Sequence, residues 1–176
     1  SREASSLIID GLRKLEYRGY DSAGLATICN SKNNKFGELC IRKSQGKLIN
    51  LTNLIKKQPI PGHLGIGHTR WATHGKPNEI NAHPHIDFTG QVAVVQNGII
   101  ENHRDLTKSL KLKGIKLTSE TDTEIIPHLI GIEIENFLNQ GLLANGQTLL
   151  KAVQKVLALL EGTYSIAVIW SKAPYA

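Results

Sequence analysis

The chain has 176 residues, enough for one full-sized domain with a real hydrophobic core. A hydrophobic content of 40% and a mean hydropathy of −0.18 fit an ordinary soluble globular protein, and every apolar stretch falls short of the ~20 residues that cross a bilayer. The net charge of +6 is regional: between Ser31 and Ile60 seven bases face one acid, Glu38, and the rest is balanced. With 5% aromatic residues that pattern describes a solvated basic face, not a surface on which bases stack, so no nucleic-acid partner is expected.

The first residues, Ser1-Arg2-Glu3-Ala4, lack the basic and apolar blocks of a secretory signal, so no membrane partner and a cytoplasmic location are expected. From about Arg2 to Leu15, Leu7, Ile8, Leu12 and Leu15 recur at helical spacing. Gly19 and Asp21 then turn the chain into a strand near Ala23 to Ile28. A polar turn at Asn30 to Asn34 and a returning strand from Glu38 to Lys43 predict a hairpin. The two cysteines, Cys29 and Cys40, lie in this hairpin among apolar neighbours, where free thiols pack as small hydrophobes. A disulfide is not expected in a cytoplasmic protein.

Leu48, Leu51, Leu54 and Ile55 mark a second helix that stops at Pro59 and Pro61. Leu64 to Thr69 reads as a strand running into a loop, Arg70 to His85, whose length and Gly, Pro, Asn and His content suggest function. Gln91 to Val95 is an apolar strand reaching Asn97-Gly98, followed by a helix from about Asn102 to Lys113 closed by Gly114. Thr121-x-x-Glu124 has the capping-box pattern and opens a helix through Asn139, with Pro127 in its first turns. A last helix, about Gln147 to Leu160, leads to an apolar strand, Tyr164 to Trp170, expected to be central in its sheet. Strands and helices do not alternate strictly, so an α+β fold with antiparallel sheets is expected over one continuous domain, residues 1–176.

Three clusters could carry chemistry. In Arg70-Trp71-Ala72-Thr73-His74-Gly75 the guanidinium offers a planar fork for a carboxylate; the plainer alternative is a surface arginine paired with a nearby acid. Asn97-Gly98 is first a type I′ hairpin signal. It can also supply an amide and a backbone N–H aimed at one point, as an oxyanion hole requires. In Ser119-Glu120-Thr121-Asp122-Thr123-Glu124 any member could cap the next helix, or Asp122 could hold an ammonium group. His83-x-His85, near His68 and His74, has metal-ligand spacing, but Pro84 between the pair and the absence of a third-ligand pattern argue against a metal. A carboxylate fork, an ammonium-binding acid and two oxyanion donors together describe a pocket for an α-amino acid with a reactive carbonyl.

These clusters, with Asn81-Ala82-His83-Pro84-His85, Asn97 to Asn102 and Leu15-Glu16-Tyr17-Arg18-Gly19-Tyr20-Asp21-Ser22-Ala23-Gly24, resemble the glutaminase domain of the glucosamine-6-phosphate synthase family. These are the isomerising glutamine–fructose-6-phosphate aminotransferases, whose glutaminase domain is a class II glutamine amidotransferase. The resemblance covers nearly the whole chain. It implies a four-layer αββα sandwich of the N-terminal-nucleophile hydrolase type, truncated here at both ends. It implies hydrolysis of glutamine to glutamate and ammonia, without a cofactor or a metal. The ammonia is transferred to fructose 6-phosphate in an isomerase domain, giving glucosamine 6-phosphate, within a homodimeric parent.

Carried over, Arg70 and Thr73 would hold the α-carboxylate with backbone help near His74, and Asp122 the α-ammonium. Asn97 and the Gly98 N–H would form the oxyanion hole, and Trp71 would help shut the pocket. Arg18 would organise the loop beside the nucleophile, and His83 would be a supporting residue. The family's nucleophile is a cysteine at the mature N-terminus, on a strand that precedes the first helix. This sequence begins at that helix and ends at a turn where the family continues, so a catalytically inactive fragment of a longer enzyme is expected. The alternative is a non-catalytic glutamine-binding pseudoenzyme module. Gln96 is a further departure, standing where the family often has histidine before Asn-Gly.

Overall fold

The computed structural model describes residues 3–19, 21–29, 36–72 and 75–173, with the side chain of Arg18 outside that description. The predicted turn at Asn30 to Asn34 and the site residues Thr73 and His74 therefore lie outside the described residues. The chain divides into two compact units: residues 1–84 with 119–121, and residues 85–118 with 122–176. Both carry antiparallel sheets and helices, so the α+β expectation holds.

In the first unit α1 (Ala4–Leu15) leads through a 3-10 turn (Glu16–Arg18) into β1 (Ser22–Cys29), β2 (Glu38–Gln45), α2 (Leu48–Lys57) and β3 (Leu64–Arg70). The sheet order is β2-β1-β3, with Ala23 opposite Ser44 on one side and Thr69 on the other. β1, flanked on both edges, is buried along its whole length. Of the apolar residues that mark α1, Leu7 and Leu15 stay exposed; the face turned inward is Ile9 and Leu12, with Ile8 packed against that cluster. Gly65 and Gly67 of β3 make room for it: a Cβ at Gly67 would stand 2.3 Å from Ile8 Cγ2 and 3.2 Å from Leu12 Cδ1. α2 buries Leu48 and Leu51, and the carboxylate of Glu16 accepts the Leu48 N–H at 3.0 Å, satisfying a donor at the helix's first turn.

The expectation of two free thiols is overturned. Cys29 and Cys40 are joined, with Cα atoms 6.2 Å apart. The hairpin register explains the approach: Cys40 stands opposite Thr27, and Cys29, two residues on, faces the same side of the sheet as a diagonal neighbour.

In the second unit β4 (His85–Ile86) pairs with β5 (Val92–Ile100), and β5 pairs with β6 (Gly162–Trp170). Between β5 and β6 come α3 (His103–Leu112), α4 (Ile125–Asn139) and α5 (Gly146–Leu157). The core here is larger, with Val92, Val94, Ile126, Ile130, Val156 and Trp170 at its centre. Two sequence expectations change. β6 is the outer strand of its sheet among the described residues, not the central one, and its burial alternates rather than being continuous. Thr121 and Glu124 make no capping box. The α4 N-cap is Glu124, and its side chain turns back to Thr118, whose N–H and hydroxyl both lie 2.8 Å from Glu124 Oε1. Pro127 fits at the third helical residue, where no i−4 hydrogen bond is lost. The last helix ends three residues earlier than the apolar spacing suggested, with Asn145 capping it by accepting the Thr148 N–H at 3.1 Å.

Candidate functional site

The first unit holds the arginine cluster. Arg70 is the last residue of β3, opposite Ser22 at the start of β1, and is only 4% exposed. Its Nη1 lies 3.7 Å from Asp21 Oδ1, and its Nη2 donates to the Gly75 carbonyl at 3.4 Å. Asp21 also accepts the Ala72 N–H, so one carboxylate holds both the guanidinium and the backbone just beyond it. The alternative of a surface arginine is excluded by burial, although an acid does pair with it. Gly19 lets this happen: a Cβ there would meet the Thr69 carbonyl oxygen at 2.8 Å and Arg70 C at 2.9 Å. Trp71, by contrast, is 61% exposed.

His83 is buried and stacks on His68, ring centroids 4.5 Å apart at 26°. Its backbone crosses β1 at Gly24, where a Cβ would stand 2.2 Å from the His83 carbonyl oxygen. Two residues earlier, Asn81 is 1% exposed and ties three segments together. Its Nδ2 donates to the Lys76 carbonyl at 2.9 Å and to Glu120 Oε2 at 3.1 Å, and its Oδ1 accepts the Glu120 N–H at 2.9 Å. Glu120 Oε2 also accepts the Lys76 N–H at 3.2 Å. That backbone bond, followed by the Asn81 amide, holds the Glu120 carboxyl below the usual carboxylate range.

The second unit holds the other candidates. β5 runs without a break through Asn97 and Gly98, which stand opposite Ser165 and Tyr164 of β6. The hairpin-turn alternative for Asn-Gly is thereby excluded. Gly98 is required by two independent facts: φ is +110°, and a Cβ would meet the Thr163 carbonyl oxygen at 2.1 Å. Asn97 and Gly98 are exposed, while Gln96 is buried and accepts the Thr123 hydroxyl at 2.6 Å. Asp122 is buried and its Oδ2 accepts the Ile100 N–H at 2.8 Å, fixing it to the end of β5. Asp122 and Thr123 are thus anchored to β5, at Ile100 and Gln96, and Glu124 to Thr118.

Each unit therefore presents part of the predicted set: Arg70, Trp71 and His83 in one, Asn97, Gly98 and Asp122 in the other. Sequence reasoning gave no part in binding or catalysis to Asp21, Asn81, Glu120, Thr123 or Glu124. All five lie in the runs Leu15 to Gly24, Asn81 to His85 and Ser119 to Glu124, and a run of this kind is the only signal that could have pointed to them.

Comparison with known proteins gives concordant results. Residues 68–174 match the glutamine amidotransferase domain family. The glutamine–fructose-6-phosphate aminotransferase (isomerizing) of Thermosynechococcus vestitus is 52% identical over 171 residues, covering 97% of this chain and 25% of that protein. Its counterpart in Clostridium acetobutylicum is 46% identical over 173 residues, covering 98% and 26%. The chain thus spans about a quarter of the length of these curated relatives. Among solved structures, the glutamine phosphoribosylpyrophosphate amidotransferase from B. subtilis, complexed with ADP and GMP, superposes with a TM-score of 0.74. It is 25% identical and covers 96% of this chain and 33% of that one.

Proposed function

The chain belongs to the glutamine amidotransferase family, and from that premise we propose that it is the glutaminase part of an isomerising glutamine–fructose-6-phosphate aminotransferase. Its fold is the N-terminal-nucleophile amidotransferase fold of its structural neighbours. In the proposed reaction a thiolate attacks the side-chain carbonyl of glutamine, the tetrahedral intermediate expels ammonia, and water releases glutamate from the resulting thioester. Neither Cys29 nor Cys40, joined in the hairpin, is that thiolate.

Each residue has a stated part. Arg70 and Thr73, with the backbone near His74, hold the α-carboxylate; Asp122 holds the α-ammonium. Asn97 and the N–H of Gly98 stabilise the oxyanion, and Trp71 closes over the bound amino acid. Arg18 and His83 support the neighbouring loops. The ammonia is passed to fructose 6-phosphate in an isomerase domain of a cytoplasmic, homodimeric parent.

The observation that carries this reading is the unbroken course of β5 through Asn97-Gly98. A strand holds an amide and a backbone N–H in fixed directions, which is what electrostatic stabilisation of an intermediate needs. The test uses the full-length protein, assayed for glutamate release and for glucosamine 6-phosphate. Asn97→Ala is expected to lower kcat about 10²–10³-fold, as removal of one oxyanion donor does elsewhere. A wild-type protein that releases no glutamate ends the reading; undiminished kcat in the variant removes Asn97 from its part.

A further inference from the structure

We propose that Asn81 and Glu120 form a latch that sets the placement of residues 75–81, and through Gly75 that of Arg70, for glutamine, and so are positioning residues for the reaction. The inference rests on the glutaminase reading above. Four hydrogen bonds join Lys76, Asn81 and Glu120, each between 2.9 and 3.2 Å. Asn81 is buried to 1%, yet its amide spends both ends on this set and on nothing apolar. A buried amide whose donors and acceptor are matched by named partners fixes one arrangement of the chain.

Gly75 shows what the latch holds. Its φ of +77° suits glycine, and a Cβ there would stand 2.7 Å from Asn81 Nδ2 and 3.0 Å from Glu120 Cβ. Gly75 is therefore pressed against the pair, and its carbonyl in turn receives Arg70 Nη2 at 3.4 Å. Contacts run without a gap from the guanidinium through Gly75 to Asn81 and Glu120. Glu120 also stands two residues before Asp122 in the chain. One small set of bonds thus holds the backbone at Gly75, to which the guanidinium assigned to the carboxylate donates. Glu120 is exposed and its carboxyl is held ionised by the Lys76 N–H and Asn81, so the charge-assisted bonds persist at neutral pH.

The latch acts on binding, and it predicts a division between KM and kcat that a merely stabilising contact would not give. In the full-length protein, Glu120→Ala and Asn81→Ala should each raise KM for glutamine about tenfold while kcat stays within about twofold. The double variant should be no worse than the poorer single one, because both break the same set. Glu120→Gln keeps an acceptor without the charge and should fall between wild type and Glu120→Ala.

Asn81→Asp sets two carboxylates side by side. Relative to wild type at each pH, its KM defect should be largest near about pH 8 and shrink toward about pH 6, where adjoining carboxyls share a proton. Amide exchange at Lys76 should accelerate in Glu120→Ala, a readout that needs no catalysis. Because the Glu120 side chain is exposed, that variant leaves the core intact, and either a wild-type KM or wild-type protection at Lys76 in it overturns the latch. Failure of wild-type protein to hydrolyse glutamine would instead strike the functional reading, with the exchange result still deciding whether the latch exists.

Discussion

Asp21 holds three groups with one side chain. Its carboxylate accepts the Ala72 N–H and the Ser22 hydroxyl, and lies 3.7 Å from Arg70 Nη1. The start of β1 thereby holds the end of β3 from the side as well as through the sheet. Removing it should cost about 2 kcal/mol, the scale of charged hydrogen bonds at a largely buried pair. Asp21→Asn keeps an oxygen for the Ala72 N–H but loses the attraction to the guanidinium, and should cost about half as much. Urea unfolding of Asp21→Ala and Asp21→Asn measures this, and wild-type stability in Asp21→Asn would show that the charge contributes nothing.

Glu120 allows a test by titration. Its folded carboxyl sits below the ordinary value, so folding favours its ionised form. The associated stabilisation is present above the unfolded value and is lost as pH falls through the lowered folded one. An NMR titration of the Glu120 carboxyl that gave an ordinary or raised value would contradict this. None of these roles was legible in sequence. Ala72 and Asn81 lie 51 and 39 residues from Asp21 and Glu120, and periodicity and turn chemistry report only on near neighbours.

Helices and strands were far more legible, because each hydrophobic face repeats within the element itself. The runs that became β1, β3, α2 and α3 are all recognisable from spacing and from their Pro or Gly stops. The failures share a cause. Asn97-Gly98 carries the composition of a two-residue turn, and only pairing with β6 reveals that the strand continues through it. β6 looks central by its apolar content, but strand order is a property of the sheet.

Gly98 marks where that tertiary pairing imposes itself on the residue. With φ at +110° and the Thr163 carbonyl where a Cβ would go, Gly98→Ala must either strain the backbone or push β6 away. The expected cost exceeds about 2 kcal/mol, whereas a Gly→Ala change at a compatible site stabilises. Thermal melting of Gly98→Ala checks it, with an unchanged midpoint counting against the pairing described.

At the scale of the whole chain, charge and core are unequally shared between the two units. Residues 1–84 with 119–121 carry thirteen bases and seven acids, whereas the other unit carries eight of each. The regional charge seen in the sequence is therefore a property of one unit, which alone bears the self-repulsion of an unbalanced surface. Among the described residues that unit also buries the smaller apolar cluster, seven residues against fourteen. Local opening costs least where apolar burial is slight and backbone hydrogen bonds are near solvent. Among the described residues β2 meets both conditions, being an outer strand of half-buried residues with Arg42 and Lys43 upon it.

Native-state hydrogen exchange should accordingly show β2 amides exchanging at least about tenfold faster than those of α4 and β5, a gap of about 1.4 kcal/mol. Raising the salt concentration should narrow the gap, since screening weakens repulsion among exposed lysines and leaves apolar burial in place. Protection in β2 equal to that in α4 would mean that neither the charge nor the smaller core sets the order of opening. A gap that salt leaves untouched would assign it to the core alone.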